Sequence, residues 1–186
     1  MPPKIADNDP EQARRFRELA LPHLDAVYTL ARYLLRDAAD ADDAVQECYL
    51  RALKHFRTYQ GPAIKPWLFA ILRNVCNAEY ARRAQAPSTG ADEMPDNAER
   101  MPLWHETQET PEAAIVKRYD AGTVRRLISA LAEPFRETFV LREIENLSYR
   151  EIADVAEVPV GTVMSRLARA RAMLRSAWLA EQEKTQ

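Results

Sequence analysis

L-S-Y-R-E-I-A-D-V-A-E-V-P-V-G-T-V-M-S-R-L-A-R-A-R-A-M-L-R-S-A-W, residues 147–178, reads as two helices joined by a tight turn. Ser148 and Glu151 stand in the S-x-x-E spacing of a capping box, in which a hydroxyl and a carboxylate reciprocally satisfy the first N–H groups of a helix. Ile152, Ala153 and Val155 supply the apolar side of that first helix. Pro159 opens the second, because its fixed φ suits a first turn that needs no N–H there. Val163, Leu167, Ala170 and Leu174 recur at the helical period and face a core. From Val158 to Ala180 there are four arginines and no acid. Thr162, Ser165, Arg166 and Arg169 share a second face, near the end that a helix-turn-helix inserts into the major groove. Small hydroxyls and guanidinium forks are the groups that contact phosphates and purine edges there. Arg171 and Arg175 lie further along, where phosphate contact is expected. The plainer alternative is an amphipathic helix with solvated or paired arginines. It suits Arg166 best, since that side chain can reach back to Glu151.

Outward from this stretch, composition narrows the class. A chain of 186 residues with 47% hydrophobic content holds two small domains or one medium one. Four glycines and few Val/Ile/Thr runs argue against a β protein and for an all-α one. Cys48 and Cys76 fall in different predicted helices without metal-ligand spacing, which suggests reduced thiols in a cytosolic chain. No apolar run reaches the roughly 18 residues of a membrane span, and M-P-P-K-I-A-D-N-D-P lacks a signal-peptide core. The expectation is a cytoplasmic protein without membrane insertion. His23, His55 and His105 are scattered and no Gly-rich phosphate loop occurs, so no catalytic constellation, metal site, cofactor or small-molecule substrate is expected. The net charge of −2 conceals an uneven distribution. Counting Lys and Arg against Asp and Glu gives 13 and 11 for residues 1–86, 2 and 7 for 87–117, and 11 and 10 for 118–186. The acid is concentrated in the middle, leaving local basic surfaces on either side.

Residues 1 to about 15 are polar and expected to be flexible. A helix follows Pro22, with Leu24, Val27, Tyr28, Ala31, Leu34 and Leu35 as its stripe, ending near Arg36. In D-A-A-D-A-D-D-A-V-Q-E-C-Y-L-R-A-L-K-H-F, residues 37–56, Ala41, Ala44, Val45, Cys48, Ala52 and Phe56 share one face. Asp43, Glu47, Leu50 and Lys54 lie on the far side with Gln46 at its margin, and a leucine among carboxylates pointing away from a core suggests a protein partner. Pro66 opens a long helix with Leu68, Ile71, Leu72 and Val75 inward. Lys65 precedes it, and Trp67, Arg73, Asn74, Asn77, Arg82 and Arg83 lie largely outside its stripe. Five basic residues against Glu79 alone occur between Arg57 and Arg83. Aromatics and amides beside cations suit unstacked bases and their phosphates, although Trp67 can instead pack between helices. From Pro87 to Pro111 prolines and acids dominate, as in a linker. Beyond it Phe135, Phe139, Val140 and Ile144 can pack under the helix-turn-helix, and F-V-L at 139–141 can also be read as a short strand.

S-Y-R-E-I-A followed by V-P-V-G-T-V-M-S-R-L-A-R-A-R resembles region 4 of bacterial RNA polymerase sigma factors, specifically the extracytoplasmic function (ECF) class. D-x-D-D-x-V-Q-E-x-x-L-R resembles region 2.2, and the Trp67 helix resembles regions 2.3 and 2.4. The resemblance covers about residues 20–84 and 118–178. It implies a region 2 domain over 1–86, an acidic linker over 87–117 that threads the polymerase cleft, with Met101, Leu103 and Trp104 as contact points, and a region 4 domain over 118–186. By the same resemblance Asp43, Gln46, Glu47, Leu50 and Arg51 dock on core RNA polymerase, whose β′ clamp helices and β flap are the implied partners. Lys65, Trp67, Arg73, Asn74, Asn77, Arg82 and Arg83 melt and read the −10 element, and Thr162, Met164, Ser165, Arg166, Arg169 and Arg171 read the −35 element. The implied function is promoter-specific transcription initiation in a stress or envelope response, restrained by an anti-sigma factor. Met164 and Ala168 stand where members often place larger or basic groups. Asn146 stands where many have Gly, and Asn tolerates the left-handed turn. Two other classes are open to the same motifs. A self-sufficient helix-turn-helix regulator leaves the Asp43–Arg51 face unexplained, and an adaptor that only titrates an anti-sigma factor has no use for Arg73 and Arg82.

Overall fold

The computed structural model describes residues 10–85 and 111–185, and no strand occurs among them. The first half runs through α1 (Pro10–Ala20), a 3₁₀ turn at Leu21–His23, α2 (Leu24–Leu35), α3 (Ala38–His55), a 3₁₀ turn at Phe56–Thr58 and α4 (Ile64–Gln85). The second runs through α5 (Pro111–Ala130), α6 (Glu133–Phe139), a π turn at Val140–Ile144, α7 (Tyr149–Ala156) and α8 (Val160–Thr185). The expected linker residues 87–110, Met101, Leu103 and Trp104 among them, lie outside the described residues, whereas α5 already begins at Pro111.

In the first half α2 stops at Arg36, whose φ of 65° is left-handed. Asp37 then caps α3, its Oδ1 accepting from Asp40 N at 3.0 Å. The stripe Ala41, Ala44, Val45, Cys48, Ala52 and Phe56 is buried throughout. Its small side chains let α3 lie close against α2 and α4, with Leu30, Leu34, Leu68, Phe69 and Leu72 filling the space between them. Two expectations change. Residues 10–15 are helical, because Phe16 further along α1 stands edge-on to Phe56 at 5.2 Å between ring centroids and Tyr49 donates to the Ala20 carbonyl at 2.9 Å. Leu24, expected in the core, is 43% exposed at the first position of α2.

The capping box of the second half forms as its spacing predicts. Ser148 Oγ accepts from Glu151 N at 3.2 Å, while Ser148 N donates to Glu151 Oε2 at 2.8 Å. Asn146 takes the left-handed conformation with φ 57°, and Glu157 does the same at 53° to turn the chain between α7 and α8. Pro159 lies one residue before α8 rather than inside it, its carbonyl accepting from Thr162 N and Val163 N. F-V-L is no strand. The chain stays helical and widens by one residue, Glu145 N donating to Val140 O at 3.0 Å, so that Val140 and Leu141 both point into the core. Val163, Leu167 and Ala170 are buried as expected, on a helix that packs against α6 and α7. The halves are not separate: α4 packs on α7, α2 packs on α6, and one hydrophobic core runs through both.

Candidate nucleic-acid interface

The first turns of α8 carry the expected groove-facing residues. Met164, Ser165 and Arg169 are exposed, and Thr162 and Arg166 are half-buried. Ser165 Oγ donates to Thr162 O at 3.0 Å, which fixes the hydroxyl on the helix instead of leaving it free to search. Arg166 does not take Glu151, whose Oε2 is occupied by Ser148 Oγ at 2.7 Å; its charge acts instead on Glu137. Arg171 is exposed but tethered, its Nη2 standing 2.5 Å from Glu143 Oε1. Phosphate contact through Arg171 therefore requires leaving that carboxylate.

The residues assigned to single-stranded DNA do not share one surface. Asn74 and Asn77 are exposed on α4. Arg82 is exposed and chelates Glu79 through Nε at 3.0 Å and Nη2 at 2.6 Å. Arg83 joins α4 to α3 through Asp40 and also holds Glu79. Trp67 is not a free aromatic face. It is half-buried, tilted against Tyr59 at 4.9 Å between centroids. Lys65 and Arg73 turn toward the second half of the chain. Lys65 Nζ lies 2.9 Å from Glu145 Oε2 and donates to the Glu145 carbonyl at 2.9 Å. Arg73 Nε donates to Glu137 Oε1 at 2.8 Å, with Glu157 at 3.7 Å from its Nη1. The Glu137 and Glu145 side chains are 2% and 5% exposed. Burial raises both carboxyl pKa values, against the pull of Arg73 on one and Lys65 on the other. Neither glutamate was legible as a partner, since 64 and 80 residues separate the paired positions and no local periodicity links them.

On the opposite side of α4, Asp43, Gln46 and Leu50 are exposed on α3, Leu50 at 59%. Glu47 and Arg51 pair at 2.6 Å. Asp43, Glu47 and Arg51 line a groove with Val75, Glu79 and Arg82 of α4, so the acidic face and part of the basic one adjoin. Both thiols are buried in the core, where desolvation pushes Cys48 and Cys76 up to about 12. Among the described residues no group of His, Cys, Asp and Glu side chains is placed to hold a metal ion, and no helix is long and apolar enough to cross a membrane.

The profile of Sigma-70 region 2 matches residues 19–86, and that of Sigma-70, region 4 matches residues 121–174. An RNA polymerase sigma-H factor of Pseudomonas aeruginosa is 33% identical over 167 residues, covering 88% of this chain and 86% of that one. An ECF RNA polymerase sigma-E factor of Escherichia coli is 34% identical over 145 residues, covering 76% and 74%. In fold the chain is similar to the sigma factor RpoE solved in complex with the anti-sigma factor NepR from Bartonella quintana, with TM-score 0.68 and 22% identity over 89% of this chain and 97% of that one. CnrH, solved with the cytosolic domain of CnrY, gives TM-score 0.61 and 24% identity over 90% of each chain. With both region profiles in place, a capped helix-turn-helix in the second half and relatives matched over most of their length, the chain belongs to the ECF class of the sigma-70 family of RNA polymerase sigma factors.

Proposed function

We propose that this chain docks on core RNA polymerase through Asp43, Gln46, Glu47, Leu50 and Arg51, and directs initiation at promoters whose −35 and −10 elements are met by α8 and α4. As a sigma factor it is a non-catalytic specificity subunit, so the polymerase supplies the chemistry. The observation that carries the reading is the exposure of Leu50 at 59% beside Asp43 and the Glu47–Arg51 pair, on the face of α3 opposite its buried stripe. An apolar side chain ringed by charges is how a specific protein contact is built, with the hydrophobe at its centre and the polar rim fixing register. On the −35 side, Thr162, Met164, Ser165 and Arg169 are assigned to base edges, which the exposure of Met164, Ser165 and Arg169 supports, with Arg166 beside them and Arg171 reaching phosphate once it leaves Glu143. On the −10 side Asn74, Asn77, Arg82 and Arg83 are accessible, while Lys65 and Arg73 join them on leaving Glu145 and Glu137, and Trp67 on leaving Tyr59.

The domain limits that suit these roles are 1–86 for the first, 87–117 for the tether and 118–186 for the second. Restraint by an anti-sigma factor, a cytoplasmic site of action and a stress or envelope response belong to the same proposal. Of the structures similar in fold, that of RpoE is a complex with the anti-sigma factor NepR, which motivates the first of these. Co-purification tests the docking face: Asp43→Lys with Glu47→Lys is expected to abolish recovery of core polymerase while leaving helical circular dichroism unchanged. Undiminished recovery refutes the docking assignment.

A further inference from the structure

Among the described residues Arg171 is the one arginine of α8 held in an ion pair, whereas Arg169 and Arg175, exposed on the same helix, make none. Arg171 donates to a single oxygen of Glu143, through Nη2 at 2.5 Å and through Nε at 3.2 Å. Glu143 belongs to the π turn at Val140–Ile144, 28 residues back and outside the helix-turn-helix, so tertiary packing and not helical spacing makes the pair. The Tyr149 hydroxyl also acts on Arg171. Its ring is pinned in turn by Arg142, whose guanidinium carbon lies 5.1 Å from the ring centroid and whose Nη1 donates to the Leu147 carbonyl at 2.8 Å. Arg171 is thus gripped from a fixed platform at the edge of the −35 site.

Stability alone does not account for the grip. The Glu143 and Arg171 side chains are 38% and 51% exposed, and an exposed pair adds little to the stability of a fold. Its weight falls on DNA binding. A phosphate that takes Arg171 must displace Glu143 and leave that carboxylate unpaired beside a polyanion, so the contact yields less than an unrestrained arginine gives. Sequence-independent binding draws nearly all of its strength from such contacts. At a matched −35 element, base contacts seat α8 at one depth and hold a phosphate where Arg171 can meet it squarely. At other sequences the helix is not seated, and only an arginine at liberty to swing finds a phosphate. We propose that Glu143 is a specificity-determining residue of the −35 site, which withholds Arg171 from duplex phosphate at large and releases it at the element that α8 fits. Glu143 itself touches no DNA; it is a positioning residue that acts through Arg171. The proposal rests on the −35 role stated above and adds to it the source of its discrimination.

Fluorescence anisotropy with the full chain tests this on two labelled duplexes, the sequence that the native chain enriches most from a random pool and a scramble of it. Glu143→Gln is expected to tighten binding to the scramble about five- to tenfold at about 0.1 M salt, the effect of one more phosphate contact, and to steepen its salt slope by about one unit. Affinity for the enriched duplex should rise less, so the ratio between the two falls. In an Arg171→Ala background the same substitution is expected to change neither the affinity for the scramble nor its slope, which separates release of Arg171 from the mere loss of a negative charge. A general loosening of the fold does not steepen a salt slope. Glu143→Ala is the second variant, with circular dichroism to show that each chain is folded, and it should act in the same direction. No change with either variant, the same gain when Arg171 is absent, or equal gains on both duplexes overturns the proposal. A native chain that enriches no sequence from the pool sinks the −35 reading instead, and the proposal with it.

Discussion

Glu151 sits three residues into α7 with its Oε2 held by the backbone N–H and the hydroxyl of Ser148, and these hydrogen bonds hold its carboxyl below the usual range. A depressed folded-state pKa means that the stabilisation is present above the unfolded carboxyl's pKa and is lost as pH falls through the folded value. Glu151→Gln is therefore expected to lower the melting temperature at neutral pH, with the gap to the native chain closing in acid. Ser148→Ala should cost about 1 kcal/mol. Glu137 and Glu145 have the opposite sign. Their raised values mean that the folded chain binds their protons more tightly, so their contribution weakens as pH climbs from the ordinary carboxyl value through the raised one. Melting followed across the acid range for the native chain and each Gln variant separates the two behaviours. The thiols give a second expectation at this scale. With Cys48 and Cys76 pushed up to about 12 by burial, iodoacetamide at pH 8 should label neither in the folded chain and both in denaturant. The capping box was legible because its two residues are three apart; Lys65–Glu145 was not, because only the closed fold brings residues 80 apart together.

At the scale of the element, the −35 role proposed for α8 divides along its length. Its buried stripe fixes the rotation, so Met164, Ser165 and Arg169 must face outward, and that much followed from the period alone. Arg169→Ala is expected to cost about 1–3 kcal/mol of promoter affinity and to relax preference at one −35 position. Arg175→Ala should weaken all promoters alike and reduce the salt slope by about one. Binding to single-base promoter variants at two salt concentrations distinguishes them, and equal weakening across all variants by Arg169→Ala would place that residue among the phosphate contacts. What periodicity missed were elements whose reason is tertiary. α1 is polar in sequence and earns its place through Phe16 on Phe56, and the π turn after α6 exists because one extra residue lets both Val140 and Leu141 reach the core. Trp67 was ambiguous for the same reason, since nothing in its neighbours along the chain announces Tyr59.

For the whole molecule the point that matters is that the two elements proposed to meet DNA, α4 and α8, belong to one chain and to different halves of it. α4 lies against α7, the partner of α8 in the helix-turn-helix, so in this arrangement the two surfaces cannot address separate sites on one duplex as independent bodies. The proposed recognition of one promoter by both elements calls for an arrangement in which α4 and α7 are apart, and the expectation is that it suits one spacing of the promoter elements. Inserting five base pairs between −35 and −10 rotates one element by about half a helical turn relative to the other. Transcription from that promoter is expected to fall far more than the affinity of the sigma factor for either element on a separate fragment, because each local contact survives while simultaneous engagement is lost. Inserting ten or eleven restores the face but lengthens the span, and recovery should be partial at most. Runoff transcription on the three promoters, beside binding to fragments carrying one element each, checks this, and equal transcription at all spacings would show that only one half reads DNA.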